Sequence, residues 1–549
     1  MKRTSVPLIR LSKYPVSLPS CFSSPLSLLF KSSSSLQIRH STIIPTSFPS
    51  RPITTHNNKN MKIYFHSDYH VNLPEGHRFP MERYLKTYSL LCSRIGISET
   101  VIQQFLKQPS SATTSLEGNH ITISPSILAT KEECLLAHSS EYIEAYTTGN
   151  LTKDQEKRIG FPWSQEFVNR TLRITGGTIQ SSLQALSTFP SIGSISGNMA
   201  GGTHHAFRDH GEGFCIFNDI AVSIKVLQLL TLYQYHSSQY NNYHLQSSSL
   251  LLLLAKIFST YPSISPVYRV GVLDLDVHQG NGTAGIFHND PSVITVSMHG
   301  EKNYPWSTRY PSIYDVDVPD QCTDEIYLAE LDKTLDIFDG LIRLSDKDIQ
   351  LISEQNILLA QKTGIGKEVL PSISSLHHDK NNNNNSTPRS LRNEALPIVI
   401  ANKTSASNID TASSPTSSSS FVSSSSISPS PYLQYSQSTP LIYTLAKQAK
   451  DSNLPIRIQA LYYQAGVDPL VYDRLGRLQL TRSGLFLRNE KVYRWAEERN
   501  LPVIVTMGGG YSKPIEKSTE CHTDVFLQAA ASYRRRKQKY EEMITSKGR

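Results

Sequence analysis

Four short stretches hold residues that could do chemistry together. In Gly201-Gly202-Thr203-His204-His205-Ala206, two adjacent imidazoles follow a glycine pair, so two titratable rings sit on backbone able to approach a ligand closely. Gly213-Phe214-Cys215 and Asn218-Asp219 come just after. In Leu273-Asp274-Leu275-Asp276-Val277-His278-Gln279-Gly280-Asn281-Gly282, a period of two turns Asp274, Asp276 and His278 the same way as a strand leaves its sheet. Asp276 and His278 thereby offer one carboxylate and one imidazole to a single metal. Gln464-Ala465-Gly466-Val467-Asp468 brings a further acid. Two Asp and one His make a three-ligand set with an open position, which separates a catalytic zinc site from a structural one. Gly508-Gly509-Gly510-Tyr511 could expose a phenol at the same rim. Each stretch alone has a plain structural explanation: a core histidine, a strand-end hydrogen-bond cluster, an ordinary glycine turn. All four in this order do not.

The elements that must position these residues are those of a parallel-sheet α/β domain. From Met61 onward, short β-branched runs alternate with helical stretches, beginning with Lys62-Ile63-Tyr64-Phe65. Tyr268–Leu273, Gln459–Gln464 and Pro502–Thr506 read as buried strands, and each ends in a cluster of Asp, His or Gly. In open α/β sheets the site lies beyond the carboxyl ends of the strands, which is where the chemistry-bearing residues fall. Two interruptions break the pattern. Residues 236–250 form a short polar insertion after a Leu-rich helix. Residues 366–440 carry Asn381 to Asn385 and a serine run from Ser417 to Ser426, a composition unable to bury enough apolar surface to order itself. The expected organisation is a first part of the domain over 61–345, a low-complexity insertion over 346–454, a second part over 455–535 and a charged tail over 536–549. The tail's Arg534-Arg535-Arg536-Lys537 reads as a solvated helix end.

Charge narrows the function classes. The 549 residues carry 54 Lys/Arg against 46 Asp/Glu, but residues 1–60 hold eight of the basic residues and no acid. The remainder is formally neutral, whereas a nucleic-acid-binding body would be basic in its own right, so no direct nucleic-acid partner is expected. Six scattered cysteines, with no CxxC, form neither a disulfide framework nor a metal pattern and favour a reducing compartment. No apolar run approaches the length of a membrane span. The first sixty residues contain 14 serines and several Arg/Lys, as an organelle transit peptide does, and Arg10 and Arg39 among Leu and Ile favour the mitochondrion. Initiation at Met61 would give an untargeted, cytoplasmic or nuclear form.

With these residues in view, the chain resembles the zinc-dependent histone deacetylase family, of the arginase/deacetylase fold. The resemblance runs through nearly all of 61–345 and 455–530. Stretches such as His77-Arg78-Phe79-Pro80-Met81, Arg158-Ile159-Gly160-Phe161-Pro162-Trp163-Ser164 and Asp473-Arg474-Leu475-Gly476-Arg477-Leu478 resemble bacterial-type and class IV-like members. Gln279 and Asn281, where class I proteins have His and Asp, point the same way. The resemblance implies a single three-layer domain around a mostly parallel sheet and one zinc ion held by Asp276, His278 and Asp468. It implies His205 as general base with His204 as its electrostatic partner, Asp274 orienting His204, and Asn281 orienting His205. Tyr511 would donate to the oxyanion, while Gly213, Phe214, Tyr304, Gly509 and Gly510 would line the substrate tunnel. Arg78 would line an inner channel. An inner potassium site would use Asp274, Asp276, His278, Ser297 and Met298, with Phe287 near a second monovalent site. The acid that clamps a peptide backbone in class I members has no counterpart here.

The leading reading is therefore a zinc-dependent amidohydrolase that removes acetyl or other acyl groups from lysine side chains. Acidic residues around the rim would instead favour an acetylated small molecule such as a polyamine, and a wide tunnel would favour longer acyl chains. A catalytically retired binding or scaffold protein sits poorly with an intact set of ligands, histidines and tyrosine. A binuclear manganese ureohydrolase would need more bridging carboxylates and gives no reason for Tyr511.

Overall fold

In the computed structural model, residues 60–107, 115–188, 193–239, 249–261, 264–366 and 440–547 are described. Nine strands form one sheet: β1 (Met61–Phe65), β2 (Leu116–Gly118), β3 (Ile121–Pro125), β4 (Ile195–Asn198), β5 (Val270–Asp274), β6 (Val293–Gly300), β7 (Tyr314–Val318), β8 (Ala460–Gln464) and β9 (Val503–Thr506). Their order is β2-β3-β1-β4-β9-β8-β5-β6-β7. Every pairing is parallel except β2 with β3. This is the mostly parallel α/β architecture expected from the alternating runs, and the three anticipated buried strands are β5, β8 and β9.

Central strands of such a sheet are covered on both faces, so their residues are apolar without alternation and each face meets a different helix. In β8 the Tyr462 hydroxyl lies 3.0 Å from Ser182 Oγ and 2.9 Å from Ser223 Oγ, on helices Gln165–Ser187 and Asp219–Gln239. Its neighbour Tyr463 points the other way and donates to Asn489 Oδ1 of helix Arg482–Glu498 at 2.6 Å. In β4, Asn198 bonds the Ile174 carbonyl while Gly197 faces Phe526 of helix Glu516–Lys547. Helices therefore sandwich the sheet, giving three layers. Burying each Val, Ile or Leu of these strands contributes about 1.5–3 kcal/mol.

The boundaries of the domain differ from those expected. Helix Asp346–Thr363 continues the folded body past 345: Ser345 and Asp348 close a capping box, and Gly364, at φ 75°, ends the helix. Ile349, Ile352, Ile357 and Ala360 recur at helical spacing and are buried. Helix Pro440–Asp451 resumes the body before 455, with Ile442, Ala446 and Ala449 buried; helix Asp324–Leu341 approaches it so closely that a side chain at Gly340 would meet the Ala446 backbone. The expected insertion over 346–454 therefore includes two packed helices. The charged tail is also corrected. Helix Glu516–Lys547 runs through residue 536, and Arg536 is buried, donating to the Leu501 carbonyl at 2.8 Å. A guanidinium fills that place because loop carbonyls ahead of β9 need a donor. The expectations for residues 1–59 and for 367–439 lie outside the described residues. Five described cysteines, Cys92, Cys134, Cys215, Cys322 and Cys521, are free and buried. Among the described residues no helix is long and apolar enough to cross a membrane.

Candidate active site

Strands β4, β9, β8 and β5 are neighbours at the middle of the sheet, and all four expected stretches leave from their carboxyl ends. Beyond β4, the Asp219 carboxylate shapes the loop by accepting from the Gly202 N–H at 3.2 Å, the Thr203 N–H at 2.8 Å and Thr203 Oγ1 at 2.6 Å. His204 and His205 are thereby presented side by side, with ring centroids 4.0 Å apart. His204 Nδ1 lies 2.6 Å from Asp274 Oδ2, and His205 Nδ1 lies 2.7 Å from Asn281 Oδ1. Both rings are buried; burial foremost holds His204 down to about 4 and His205 well below the usual histidine range. Burial thus disfavours the imidazolium form of both rings.

Strand β5 ends at Asp274, so the period-two reading does not extend to His278. The chain leaves the sheet there in bends, and these bends carry Asp276 and His278 away from Asp274 toward β8. Asp276, His278 and Asp468 meet, with ligand atoms within 4.8 Å of one another. His278 Nδ1 is 3.0 Å from Asp276 Oδ1 and 3.2 Å from Asp468 Oδ2. Burial alone would lower the His278 pKa, but the Asp276 and Asp468 carboxylates beside it outweigh that and push it up to about 10. Burial foremost, then Asp276, raises Asp468 to about 8. Asp468 Oδ2 is buried and receives no well-aligned hydrogen bond despite its distance from His278. Two carboxylates, one of them with an oxygen lacking a hydrogen-bond partner, and one imidazole fit a divalent cation such as zinc, which would displace the shared protons.

The glycine turn after β9 closes the far side. The Gly509 N–H donates to Asp276 Oδ2 at 2.7 Å, and a side-chain carbon at Gly509 would fall 1.9 Å from Asp468 Oδ2, so only glycine fits. Tyr511 follows, its amide held by Asp473 Oδ2 at 2.6 Å. Burial foremost raises its phenol well above 10, so it keeps its proton as a donor. Gly213, Phe214, Gly509 and Tyr511 line one narrow cavity of about 30 Å³ with His204, His205, Asp276 and His278. Phe214 holds φ at 65°, an uncommon conformation for a bulky residue and one that recurs at functional sites. The Tyr304 ring stands edge-on to His205 at 5.0 Å. Gly510 lies behind the turn, its carbonyl accepting from Arg83 Nη1 at 3.1 Å.

Arg78 is not in the cavity. It is exposed, and its carbonyl accepts from Arg474 Nη2 at 3.2 Å. Arg83 and Arg170, both buried, line the cavity instead, with Phe79 and Tyr84. Arg83 Nη2 donates to the Gly508 carbonyl at 3.1 Å, and its guanidinium lies 5.2 Å from the Tyr511 ring centre. Sequence reasoning missed both arginines because Arg83, which opens helix Arg83–Arg94, and Arg170, inside helix Gln165–Ser187, have no flanking pattern. Of the residues assigned to monovalent ions, Ser297 pairs with Asp274 across the sheet and Met298 is buried beside it. Phe287 stands apart at the end of helix Asn281–Phe287, its carbonyl accepting from the Asp290 N–H at 2.9 Å.

Comparison with known proteins shows the family. The chain matches the histone deacetylase domain over residues 95–235, 258–337 and 435–527, and it belongs to that family. It is 34% identical over 270 residues to an uncharacterized protein of Picosynechococcus sp., covering 49% of this chain and 69% of that protein. It is 27% identical over 190 residues to the acetoin utilization protein AcuC of Staphylococcus aureus, covering 33% of this chain and 40% of AcuC. The crystal structure of the HDA15 HD domain covers 86% of this chain and 94% of its own, at 15% identity and a TM-score of 0.42.

Proposed function

We propose that the protein is a zinc-dependent deacylase that removes acetyl groups from lysine side chains. The observation that carries this reading is the meeting, in one buried cavity, of a metal-ligand triad, two buried imidazoles and a protonated phenol. Asp276, His278 and Asp468 would hold a zinc ion, which would supply Lewis acidity toward the acyl carbonyl. His205 donates Nδ1–H to Asn281, which leaves Nε2 free to take a proton from the attacking water and return it to the departing amine. Tyr511 donates to the developing oxyanion, an interaction worth about 3 kcal/mol in comparable holes.

Two observations support short acyl groups on lysine over the alternatives. A cavity of about 30 Å³, lined by Phe79, Tyr84, Arg83 and Arg170 among others, has room for about two waters, and a long acyl chain would have to displace lining side chains. Exposed arginines adjoin residues of the cavity: Arg474 Nε donates to the Tyr511 carbonyl at 3.3 Å, and the Arg158 carbonyl accepts from the Gly213 N–H at 3.1 Å. Positive charge near the mouth would disfavour a polycationic substrate. Full-length zinc-loaded protein tested on matched acyl-lysine peptides and acetylated polyamines, with Tyr511→Phe as control, decides the matter. Acetyl-lysine turnover lost in Tyr511→Phe is expected; turnover of polyamines alone would refute the lysine assignment. Mitochondrial delivery is part of the same reading, resting on the acid-free first sixty residues. A fusion of residues 1–60 to a fluorescent reporter that stays cytosolic would refute it.

A further inference from the structure

We infer that Glu212 is a positioning residue: through Asn281 it sets which nitrogen of His205 carries the proton. The inference rests on the reading of His205 as the proton acceptor. Asparagine at this place has two ends of nearly equal shape. If its NH₂ faced His205, Nδ1 would have to accept, the proton would move to Nε2, and the ring could not act as a base. An asparagine in the corresponding place of a serine-protease triad costs about 10⁴ in rate for that reason.

Here the ambiguity is removed from behind. Asn281 Nδ2 lies 2.6 Å from Glu212 Oε1 and 2.9 Å from the Thr308 carbonyl, with Thr308 Oγ1 at 3.3 Å. The Thr308 hydroxyl is itself spent as a donor to Glu212 Oε1 at 2.9 Å, so it faces Asn281 as an acceptor only. The Glu212 carboxylate also acts on the Tyr304 phenol, raising its pKa after the larger effect of burial. Every group facing Asn281 Nδ2 is thus an acceptor, and a flipped amide would set its carbonyl oxygen against a carboxylate. Oδ1 is left to His205, at 2.7 Å, and an oxygen that can only accept requires a proton on Nδ1. Glu212 is 1% exposed, and its backbone carbonyl accepts from the Cys215 N–H at 2.9 Å, so neither it nor its turn is free to swing away. The His205–Asn281–Glu212 chain therefore places an acidic side chain one residue behind a neutral partner. The carboxylate orients the amide by a charge-assisted bond without touching the imidazole.

The test uses full-length, zinc-loaded protein and two readouts. Glu212→Gln removes the charge and lets the two amides compete, so kcat on an acetyl-lysine peptide should fall about tenfold to a hundredfold with KM within about twofold. The swap of Glu212→Gln with Asn281→Asp restores an acceptor-only partner for His205 and a donor behind it, and should recover kcat to within about threefold of the parent. In ¹⁵N-histidine-labelled protein, the His205 ring signal, identified by its loss in His205→Ala, should report protonated Nδ1 in the parent and in the swap but not in Glu212→Gln alone. Unchanged kcat in Glu212→Gln, a swap no better than the single variant, or an Nε2-protonated parent would each overturn the inference. Should Glu212→Gln fail to fold, the swap alone decides, upheld by near-parental kcat and overturned by a loss beyond tenfold. If the parent hydrolyses none of the substrates, the deacylase reading fails while the ring signal still settles the role of Glu212.

Discussion

His205 and Tyr511 meet the same cavity from opposite ends of the chain, and neither ligates the candidate metal. Their substitutions therefore separate chemistry from metal binding. His205→Ala is expected to lower kcat by about 10²–10⁴ and Tyr511→Phe by about 10²–10³, both with unchanged zinc content by elemental analysis. Asp468→Ala differs because it removes an oxygen that no other side chain satisfies. It should lose zinc and activity together, and full zinc occupancy in that variant would remove Asp468 from the ligand set. At this scale the sequence was informative wherever function imposes a local pattern, as in the tandem histidines and the Asp276–His278 spacing. It was silent on Glu212, Arg83 and Arg170, because a buried charged residue announces itself only through partners such as Asn281, Gly508 or Tyr84, which are remote in sequence or carry no local signature.

Elements explain why the site is built on turns and not within strands. The chain beyond β9 passes so close to the carboxylates that the Gly509 N–H itself becomes part of the cradle. Gly509→Ala should weaken zinc affinity by tenfold or more in a competition titration while leaving the circular dichroism spectrum unchanged, since the clash is with Asp468 and not with the sheet. Helix Asp346–Thr363 gives a second test. Ile352 is 1% exposed, and Ile352→Ala should cost about 2–4 kcal/mol in denaturant unfolding, a value foreign to a disordered insertion. Ser345→Ala, which breaks the capping box, should cost about 1 kcal/mol. The signals for this helix, an S-x-x-D cap and apolar residues at helical spacing, were present in the sequence. They were overlooked because the low-complexity stretch that follows drew the boundary toward itself.

Across the whole molecule, the folded body is made from segments separated by about seventy residues outside the described range. Excising 370–435 and joining the ends with a short Gly/Ser linker keeps every described helix and strand. Zinc content and activity are expected to remain near those of the parent, because closure entropy changes only logarithmically with loop length. Excising 346–454 instead strips two packed helices and should yield insoluble protein or a much lower Tm. Truncation before Arg536 should likewise destabilise, since the carbonyl of Leu501 would lose a buried charged donor. By itself the sequence determined the α/β class, the strands that matter and the four stretches that carry the candidate ligands and the histidines, because hydrophobic period and short chemical patterns are written in neighbouring residues. The tertiary structure alone decided the order β4-β9-β8-β5, which brings residues from 204 to 511 into one cavity, and with it the arginines that line it and the glutamate behind Asn281. Those depend on which strands lie side by side and which helices cover them, and that is settled by packing over the whole chain rather than by any local pattern.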